Sequence, residues 1–186
     1  RSTPLYSSAA SDVYKRLKLF SFLNEFSPYG CLGRIKINNI TNYDMVAALY
    51  KASQAGVQIR MIVRGICCLV PGVAGISDNI EVISVVDRYL EHLRLVIFEN
   101  SGNRDILISS ADWMTRNLDN RVEVTCPIYD KDVQQELVDT FELSWNDNVK
   151  ARWVNENSKP VYRNNGASPL RSQEAIYSYY QNKMRS

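Results

Sequence analysis

Short stretches of alternating apolar and polar residues are separated along this chain by longer stretches with helical spacing. Side chains repeat every two residues in a strand and about every 3.6 residues in a helix, so the two patterns distinguish the elements. The strand pattern predicts strands at 34–38, 58–64, 80–86, 93–98, 105–110 and 121–128. The helical pattern predicts helices at 11–26, 41–55, 130–147 and 172–183.

The segment 34–64 has the order strand, helix, strand. Thr41 and Asp44 have the spacing of a capping box at the start of the helix, and Gly56 follows Ala55 as a C-terminal stop. A unit of this length predicts two parallel strands joined by a right-handed crossover. The apolar face of the helix consists of Met45, Val46, Leu49 and Ala52.

The second half of the chain predicts a hairpin, a long helix and an arm. Residues 99–104 separate two apolar runs as a hairpin loop does, and the chain turns polar after Lys150. The long helix is expected to bury Val133, Leu137, Val138, Phe141 and Trp145. We therefore expect an α/β fold with a mixed β-sheet flanked by helices. Its expected regions are an N-terminal helix and linker, a main domain, and a C-terminal arm and helix, at 1–33, 34–155 and 156–186.

Composition narrows the class of protein. The 186 residues are 45% hydrophobic and 23% charged with a net charge of +2, which excludes extensive disorder and disfavours general nucleic-acid binding. No apolar run is long enough for a membrane span, and the first residues lack the layout of a signal peptide. The first residue is Arg1, as in a fragment or a processed chain. Reduced thiols in the cytoplasm are expected at Cys31, Cys67, Cys68 and Cys126.

The only histidine of the chain, His92, precedes an apolar strand and has charged neighbours. We expect Arg94 to point to the same face as His92, and Glu99 and the turn Ser109-Ser110-Ala111-Asp112 to lie where the paired strands end. A neutral imidazole can accept a phosphoryl group, and a cation beside it stabilises the charge. The alternative is a surface patch of salt bridges at the edge of a sheet.

The spacing His-x-Arg, an acid five residues later, and then Ser-Ser-x-Asp resembles half of a phospholipase D site. That pattern has Lys, Asp and Asn where this chain has Arg94, Glu99 and Asp112. Longer strings resemble bacterial polyphosphate kinases from about residue 34 onwards. They are Ile62-Val-Arg-Gly-Ile-Cys-Cys-Leu-Val-Pro-Gly72, Asp87-Arg-Tyr-Leu-Glu-His92, Ile108-Ser-Ser-Ala-Asp-Trp-Met-Thr-Arg-Asn-Leu-Asp119 and Arg121-Val-Glu123, with Lys36-Ile-Asn-Asn39 and Val149-Lys-Ala-Arg152.

This resemblance implies a phospholipase D-like domain and a reversible transfer of the terminal phosphoryl group of ATP to polyphosphate. It implies Mg²⁺ with the ATP, and a phosphohistidine on a preceding domain that faces His92 across a joined site. It matches Arg64 to an arginine that contacts nucleotide. The implied partners are ATP, ADP, inorganic polyphosphate, the preceding domains and a second copy in a homo-oligomer, without nucleic acid. The implied location is the cytoplasm, with membrane association as an option.

Several further residues are candidates for phosphate binding. Arg64 follows a parallel strand, where α/β sheets place ligands, and its fork suits a phosphate; a surface ion pair is the alternative. Lys36 is either a phosphate ligand or a solvated lysine. Arg116 and Arg121 either follow a polyanion or pair with Asp119 and Glu123. We expect Asp112 to orient a neighbour rather than to bind metal, and we assign no metal ligand.

Two alternatives to a kinase remain open from the sequence. One is a phospholipase D-like phosphodiesterase half-domain, and the other is a non-catalytic module that binds polyanions or forms oligomers. Because the resemblance places the phosphorylated histidine of the site on another domain, we expect the isolated chain to show little or no synthesis.

Overall fold

The structure, a computed structural model, describes residues 32–99, 102, 104–155, 161–164 and 166–185. The predicted helix at 11–26 and almost all of the expected N-terminal region, residues 1–33, lie outside the described residues, as does Cys31. No described helix is both long enough and apolar enough to cross a membrane.

The described residues form a mixed sheet with helices between its strands. The strands are β1 (Leu32–Ile37), β2 (Gln58–Val63), β3 (Ile80–Val85), β4 (Leu95–Phe98), β5 (Asp105–Ser109), β6 (Thr125–Ile128), β7 (Ala151–Trp153) and β8 (Val161–Tyr162). The helices are α1 (Tyr43–Gln54), α2 (Thr115–Asn120), α3 (Lys131–Trp145) and α4 (Ser172–Lys183). The order across the sheet is β6-β5-β4-β1-β2-β3-β7-β8.

The centre of the sheet is parallel and its flanks are antiparallel. β1, β2 and β3 are parallel neighbours, which confirms the parallel pair predicted around α1. β4 and β5 form the predicted antiparallel hairpin, and β4 also pairs antiparallel with β1. The predicted fold class, a mixed sheet flanked by helices, is confirmed.

Alternation along the strands divides the core between the two faces of the sheet. On one face, Ile35, Met61 and Val82 pack in a cluster with Met45 and Leu49 of α1. On the other face, Ile62, Ile83 and Ile97 of the sheet and Val138, Phe141 and Trp145 of α3 form a second cluster. α1 and α3 therefore cover opposite faces of the sheet, as the spacing of their apolar residues requires.

The structure corrects two expectations about helix positions. Asn42, not Thr41, caps α1, because its side chain accepts a hydrogen bond from the Met45 backbone at 3.1 Å while Thr41 N donates to the Trp113 carbonyl. In α3, Val133 is 43% exposed instead of buried. Gln134 is buried beside it, and its side-chain amide donates to Ile128 O at 2.7 Å.

Two strand expectations also change. The predicted strand 121–128 begins only at Thr125. The polar stretch after Lys150, predicted to be an irregular arm, includes β7, which pairs with β3 through a fully buried Ala151. β8 pairs with β7, so the sheet continues across the boundary expected at residue 155.

Strand direction brings five chain segments to one edge of the sheet. β1, β2 and β3 end there at Ile37, Val63 and Val85, and the antiparallel β4 begins there at Leu95. β5 ends at the same edge, because Leu95 pairs with Ile108. The loops at this edge carry the predicted site residues, and we call it the site edge.

Because α3 has a buried face and an exposed face, a valine-to-alanine substitution should affect the free energy of unfolding differently on the two faces. Val138→Ala, at a position 6% exposed, should lower the free energy of unfolding by about 2 kcal/mol, because it removes buried methyl groups and leaves a cavity. Val133→Ala, at the exposed position, should change it by less than about 0.5 kcal/mol. Urea denaturation of both variants measures this difference, and equal losses would contradict the assigned orientation of α3.

Candidate functional site

Asp112, in the loop after β5, connects three segments at the site edge. Its carboxylate accepts five hydrogen bonds: from the backbone N–H groups of Asn38 and Asn39, from the Asn39 side chain, and from Nε and Nη2 of Arg94. The side chain is only 7% exposed and that of Arg94 only 12%. The expectation that Asp112 orients a neighbour matches this geometry.

The charge of Asp112 is maintained by these donors. Burial alone would raise the pKa of the carboxyl group, but the hydrogen bonds from Arg94 and Asn39 and the charge of Arg94 hold the pKa below its ordinary value. Asp112 is therefore an ionised anchor with all its acceptor positions engaged, and it has no free lone pair for a metal ion.

Arg94 connects the Asp112 carboxylate to the backbone of His92. Nη1 of Arg94 donates to the backbone carbonyl of His92 at 3.2 Å, while the rest of its guanidinium pairs with Asp112. Both residues precede β4, which begins at Leu95 and not at residue 93 as predicted, so Arg94 does not share a strand face with His92. The His92 side chain is exposed at the site edge.

Arg64 lines a cleft at the same edge. The cleft is small, and its polar lining comes from Lys36, Asn38, Arg64 and Glu91. Nε of Arg64 donates to the side-chain oxygen of the buried Asn38 at 2.9 Å. Among the described residues Arg64 has no carboxylate partner, so the surface ion pair considered as its alternative role is not found there.

At Gly65 the backbone after β2 lies very close to the residues that follow β1. A Cβ atom at residue 65 would lie 2.6 Å from Oδ1 of Asn39 and 3.1 Å from the Asn38 carbonyl oxygen. That Oδ1 accepts the Ile66 N–H at 2.9 Å, and Gly65 N donates to Asn38 O. The segment after β2 is thus tied directly to the segment after β1.

Lys36 is paired, not solvated. Its ammonium group donates to Glu91 and, at 3.0 Å, to Ser144 Oγ, and its side chain is 11% exposed. The alternative of a solvated lysine is therefore wrong, and Glu91 already neutralises the charge of Lys36 beside the cleft.

Glu99 does not lie near His92. It follows the far end of β4, where it pairs with Arg34 and, at 3.2 Å, with Arg104. Burial would raise the pKa of Glu99, but the two arginines lower it below its ordinary value. The expectation that Glu99 joins the cluster around His92 is wrong, because the two ends of β4 lie at opposite edges of the sheet.

Ser109 and Ser110 connect the site edge to the chain before β6. The Ser109 hydroxyl lies 2.9 Å from that of Thr125, and the Ser110 hydroxyl donates to the buried Glu123. Glu123 also accepts from Asn117 of α2 at 2.7 Å. Both hydroxyl groups therefore support the turn that carries Asp112.

Arg116 and Arg121 flank this turn with exposed side chains. Whether they follow a polyanion or pair with Asp119 or Glu123 stays a prediction.

Sequence reasoning missed the two asparagines after β1. Asn38 orients Arg64, and Asn39 contacts both Asp112 and Ile66. The available signal was their position, because two amide side chains directly follow a buried strand. The described residues contain no group of three or more His, Cys, Asp or Glu side chains placed to hold a metal ion.

A family model described as "Polyphosphate kinase C-terminal domain 2" matches residues 31–173. The polyphosphate kinase of Vibrio vulnificus strain YJ016 is 47% identical over 149 residues, which are 80% of this chain and 21% of that protein. The polyphosphate kinase of Escherichia coli K12 is 46% identical over 146 residues, 78% of this chain and 21% of that protein.

Solved structures agree with this match. The crystal structure of polyphosphate kinase from Porphyromonas gingivalis superposes with a TM-score of 0.90 and 39% identity, over 98% of this chain and 28% of that one. Nuc from Salmonella typhimurium, titled a phospholipase D family member, has a TM-score of 0.57 at 15% identity over 76% of this chain and 91% of its own. At that identity the second likeness shows the fold alone.

The anchor predicts a large loss of stability when Asp112 is removed. Asp112→Ala should lower the free energy of unfolding by about 3 kcal/mol at neutral pH, because it leaves a nearly buried Arg94 without its counter-charge. The matched control is Asp44→Ala in the first turn of α1, which should cost less than about 1 kcal/mol. Urea denaturation compares them, and similar losses would contradict the role of Asp112.

The ionised state of Asp112 also predicts that the stability of the folded chain depends on pH. The pKa of Asp112 is lower in the folded chain than in the unfolded chain, so its contribution is complete above the unfolded pKa of about 4 and is lost as pH falls through the folded pKa. The stability difference between the wild-type chain and Asp112→Asn should therefore narrow below about pH 4. A difference that stays constant to lower pH would contradict an ionised anchor.

Proposed function

This chain belongs to the polyphosphate kinase family, and from that premise we propose that it forms the C-terminal catalytic portion of an ATP:polyphosphate phosphotransferase. The proposed reaction transfers the terminal phosphoryl group of ATP reversibly to inorganic polyphosphate. The chain spans about a fifth of the length of the curated relatives that it matches. The proposed partners are therefore ATP, ADP, polyphosphate and the remaining portion of a longer enzyme.

The observation that supports this proposal most directly is the orientation and surroundings of the Arg64 side chain. Its guanidinium group is oriented by Asn38 and lines a cleft beside the segment of His92, without a carboxylate partner among the described residues. Phosphoryl transfer needs groups that hold phosphate oxygens and neutralise their charge. The planar fork of an arginine matches two such oxygens. Arg64 is assigned to the nucleotide phosphates.

His92 is assigned to proton transfer. Its backbone is held by Arg94, and its exposed imidazole is available at the site edge. An imidazole can donate a proton to the leaving phosphate oxygen or accept one from the entering oxygen near neutral pH. The phosphohistidine itself is assigned to a histidine in the remaining portion of the enzyme. Arg116 and Arg121 are assigned to contacts with the polyphosphate chain.

The charged groups of the site do not form a magnesium site. Asp112 has its acceptor positions engaged by five donors, and Glu91 pairs with Lys36 and with Gln173. Mg²⁺ is proposed to accompany the ATP phosphates, and no step is assigned to it. The free thiols of Cys67, Cys68 and Cys126 support a location in the cytoplasm.

The role of Arg64 predicts a selective loss of phosphate binding. The 186-residue chain should bind tripolyphosphate in calorimetric titrations, and Arg64→Ala should weaken binding by about tenfold because it removes charge-assisted hydrogen bonds. The matched control is Arg185→Ala, an exposed arginine near the C-terminus, which should change affinity by less than about twofold. Binding should also weaken towards about 1 M salt. Equal effects of the two variants would contradict the assignment.

The role of His92 predicts a loss of rate in a complete enzyme. In a chimera that joins this chain to the remaining portion of the Escherichia coli relative, His92→Ala should reduce polyphosphate synthesis by about a hundredfold or more. Its melting temperature should stay unchanged, because the imidazole is exposed. Near-normal synthesis by a normally melting variant would return His92 to a structural role. A lack of synthesis by the unmodified chimera would contradict the proposed function itself.

A further inference from the structure

The segment that carries His92 is not held by hydrophobic burial. This segment, residues 86–93, lies between β3 and β4, and we call it the His92 segment. Its apolar side chains Val86, Tyr89 and Leu90 are between 56% and 73% exposed, and Leu93 is 36% exposed. A loop with so little buried surface opens easily unless polar contacts fix it.

The start of α4 supplies two such contacts. The guanidinium of Arg171 makes two parallel hydrogen bonds of 2.7 Å to the carboxylate of Asp87, whose side chain is 3% exposed. This bidentate geometry fixes direction as well as distance. The pair therefore attaches the beginning of the His92 segment to the chain at residue 171.

Gln173 attaches the middle of the segment. Its side-chain oxygen accepts the Tyr89 N–H at 2.9 Å, and its amide donates to the Tyr89 carbonyl at 2.8 Å and to Glu91 at 3.0 Å. One side chain thus satisfies both backbone groups of Tyr89. The other oxygen of Glu91 pairs with Lys36 beside the cleft, so the contact continues to the cleft that Arg64 lines.

The start of α4 is itself fixed to the core. Ser172 is fully buried, and its N–H donates to Asp147 at 2.7 Å. Asp147 is also fully buried and accepts the N–H groups of residues 149–151. Burial would raise the pKa of Asp147, but these donors lower it. Arg171 and Gln173 therefore flank a rigid attachment point.

We propose that Arg171 and Gln173 are positioning residues that hold the His92 segment against the cleft. The identity of the ligand as a phosphate rests on the proposed function. The attachment of the His92 segment to Arg171 and Gln173 does not depend on that function. The start of α4 thus contacts the segment of the site, although the sequence placed these residues in a separate C-terminal arm and helix.

Amide hydrogen exchange of the 186-residue chain tests the attachment. The Tyr89 amide has the Gln173 side chain as its acceptor, so Gln173→Ala should speed its exchange by about tenfold or more. The matched control is Gln181→Ala on the same helix, where the amide contacts Tyr177, and it should leave the Tyr89 rate unchanged. An unchanged rate in Gln173→Ala would overturn the proposal.

Phosphate affinity tests whether the attachment positions the site. Gln173→Ala should weaken tripolyphosphate binding by about threefold to tenfold at an unchanged melting temperature, and Arg171→Lys should bind more tightly than Arg171→Ala. Faster exchange at Tyr89 with unchanged affinity would overturn the positioning role. A wild-type chain that fails to bind tripolyphosphate, with the exchange result intact, would instead contradict the proposed function.

Discussion

The structure of the site edge depends on one buried carboxylate. Asp112 follows β5, and its five donors come from the loop after β1 and from the residue before β4. A carboxylate that is 7% exposed is stable only when its charge is compensated and its lone pairs are engaged. Asn38 and Arg94 must therefore converge on it. Asn38 then orients Arg64 and Arg94 holds the His92 backbone, so the proposed phosphate ligand and the proposed proton-transfer group are both positioned through the same anion.

The cationic side chains at the site edge differ in whether a carboxylate of the protein neutralises them. Arg94 neutralises Asp112, and Lys36 neutralises Glu91, so neither adds free positive charge beside the cleft. Arg64 contacts only a neutral amide among the described side chains, and its charge is the one that we assign to a phosphate. Catalysis of phosphoryl transfer consists mainly of positioning and charge neutralisation, and in the proposed function the paired groups are assigned to the first and Arg64 to the second.

The sequence predicts the fold better than the site. Apolar alternation located β1 to β5, because each of these strands is buried on at least one face, whereas β7 is three residues long and carries no period. Glu99 was assigned to the wrong edge, because His92 precedes β4 and Glu99 follows it, and the length of the strand separates them. Gln134 is buried, and Gln173 is hydrogen-bonded to the Tyr89 backbone. Both features depend on tertiary contacts, which a local sequence pattern does not predict. The strings that resemble the polyphosphate kinase family pointed to Arg64 and His92, and Asp112 was expected to orient a neighbour. The hydrogen bond by which Asn38 orients Arg64 was not predicted.

The most direct test of a single phosphate site at this edge is a nuclear magnetic resonance titration of the 186-residue chain with tripolyphosphate. His92 is the only histidine, so its ring signals are assigned without ambiguity. The account predicts that the His92 ring signals and the Arg64 Nε–H signal shift along one binding curve. A His92 signal that stays unchanged while tripolyphosphate saturates Arg64 would contradict it.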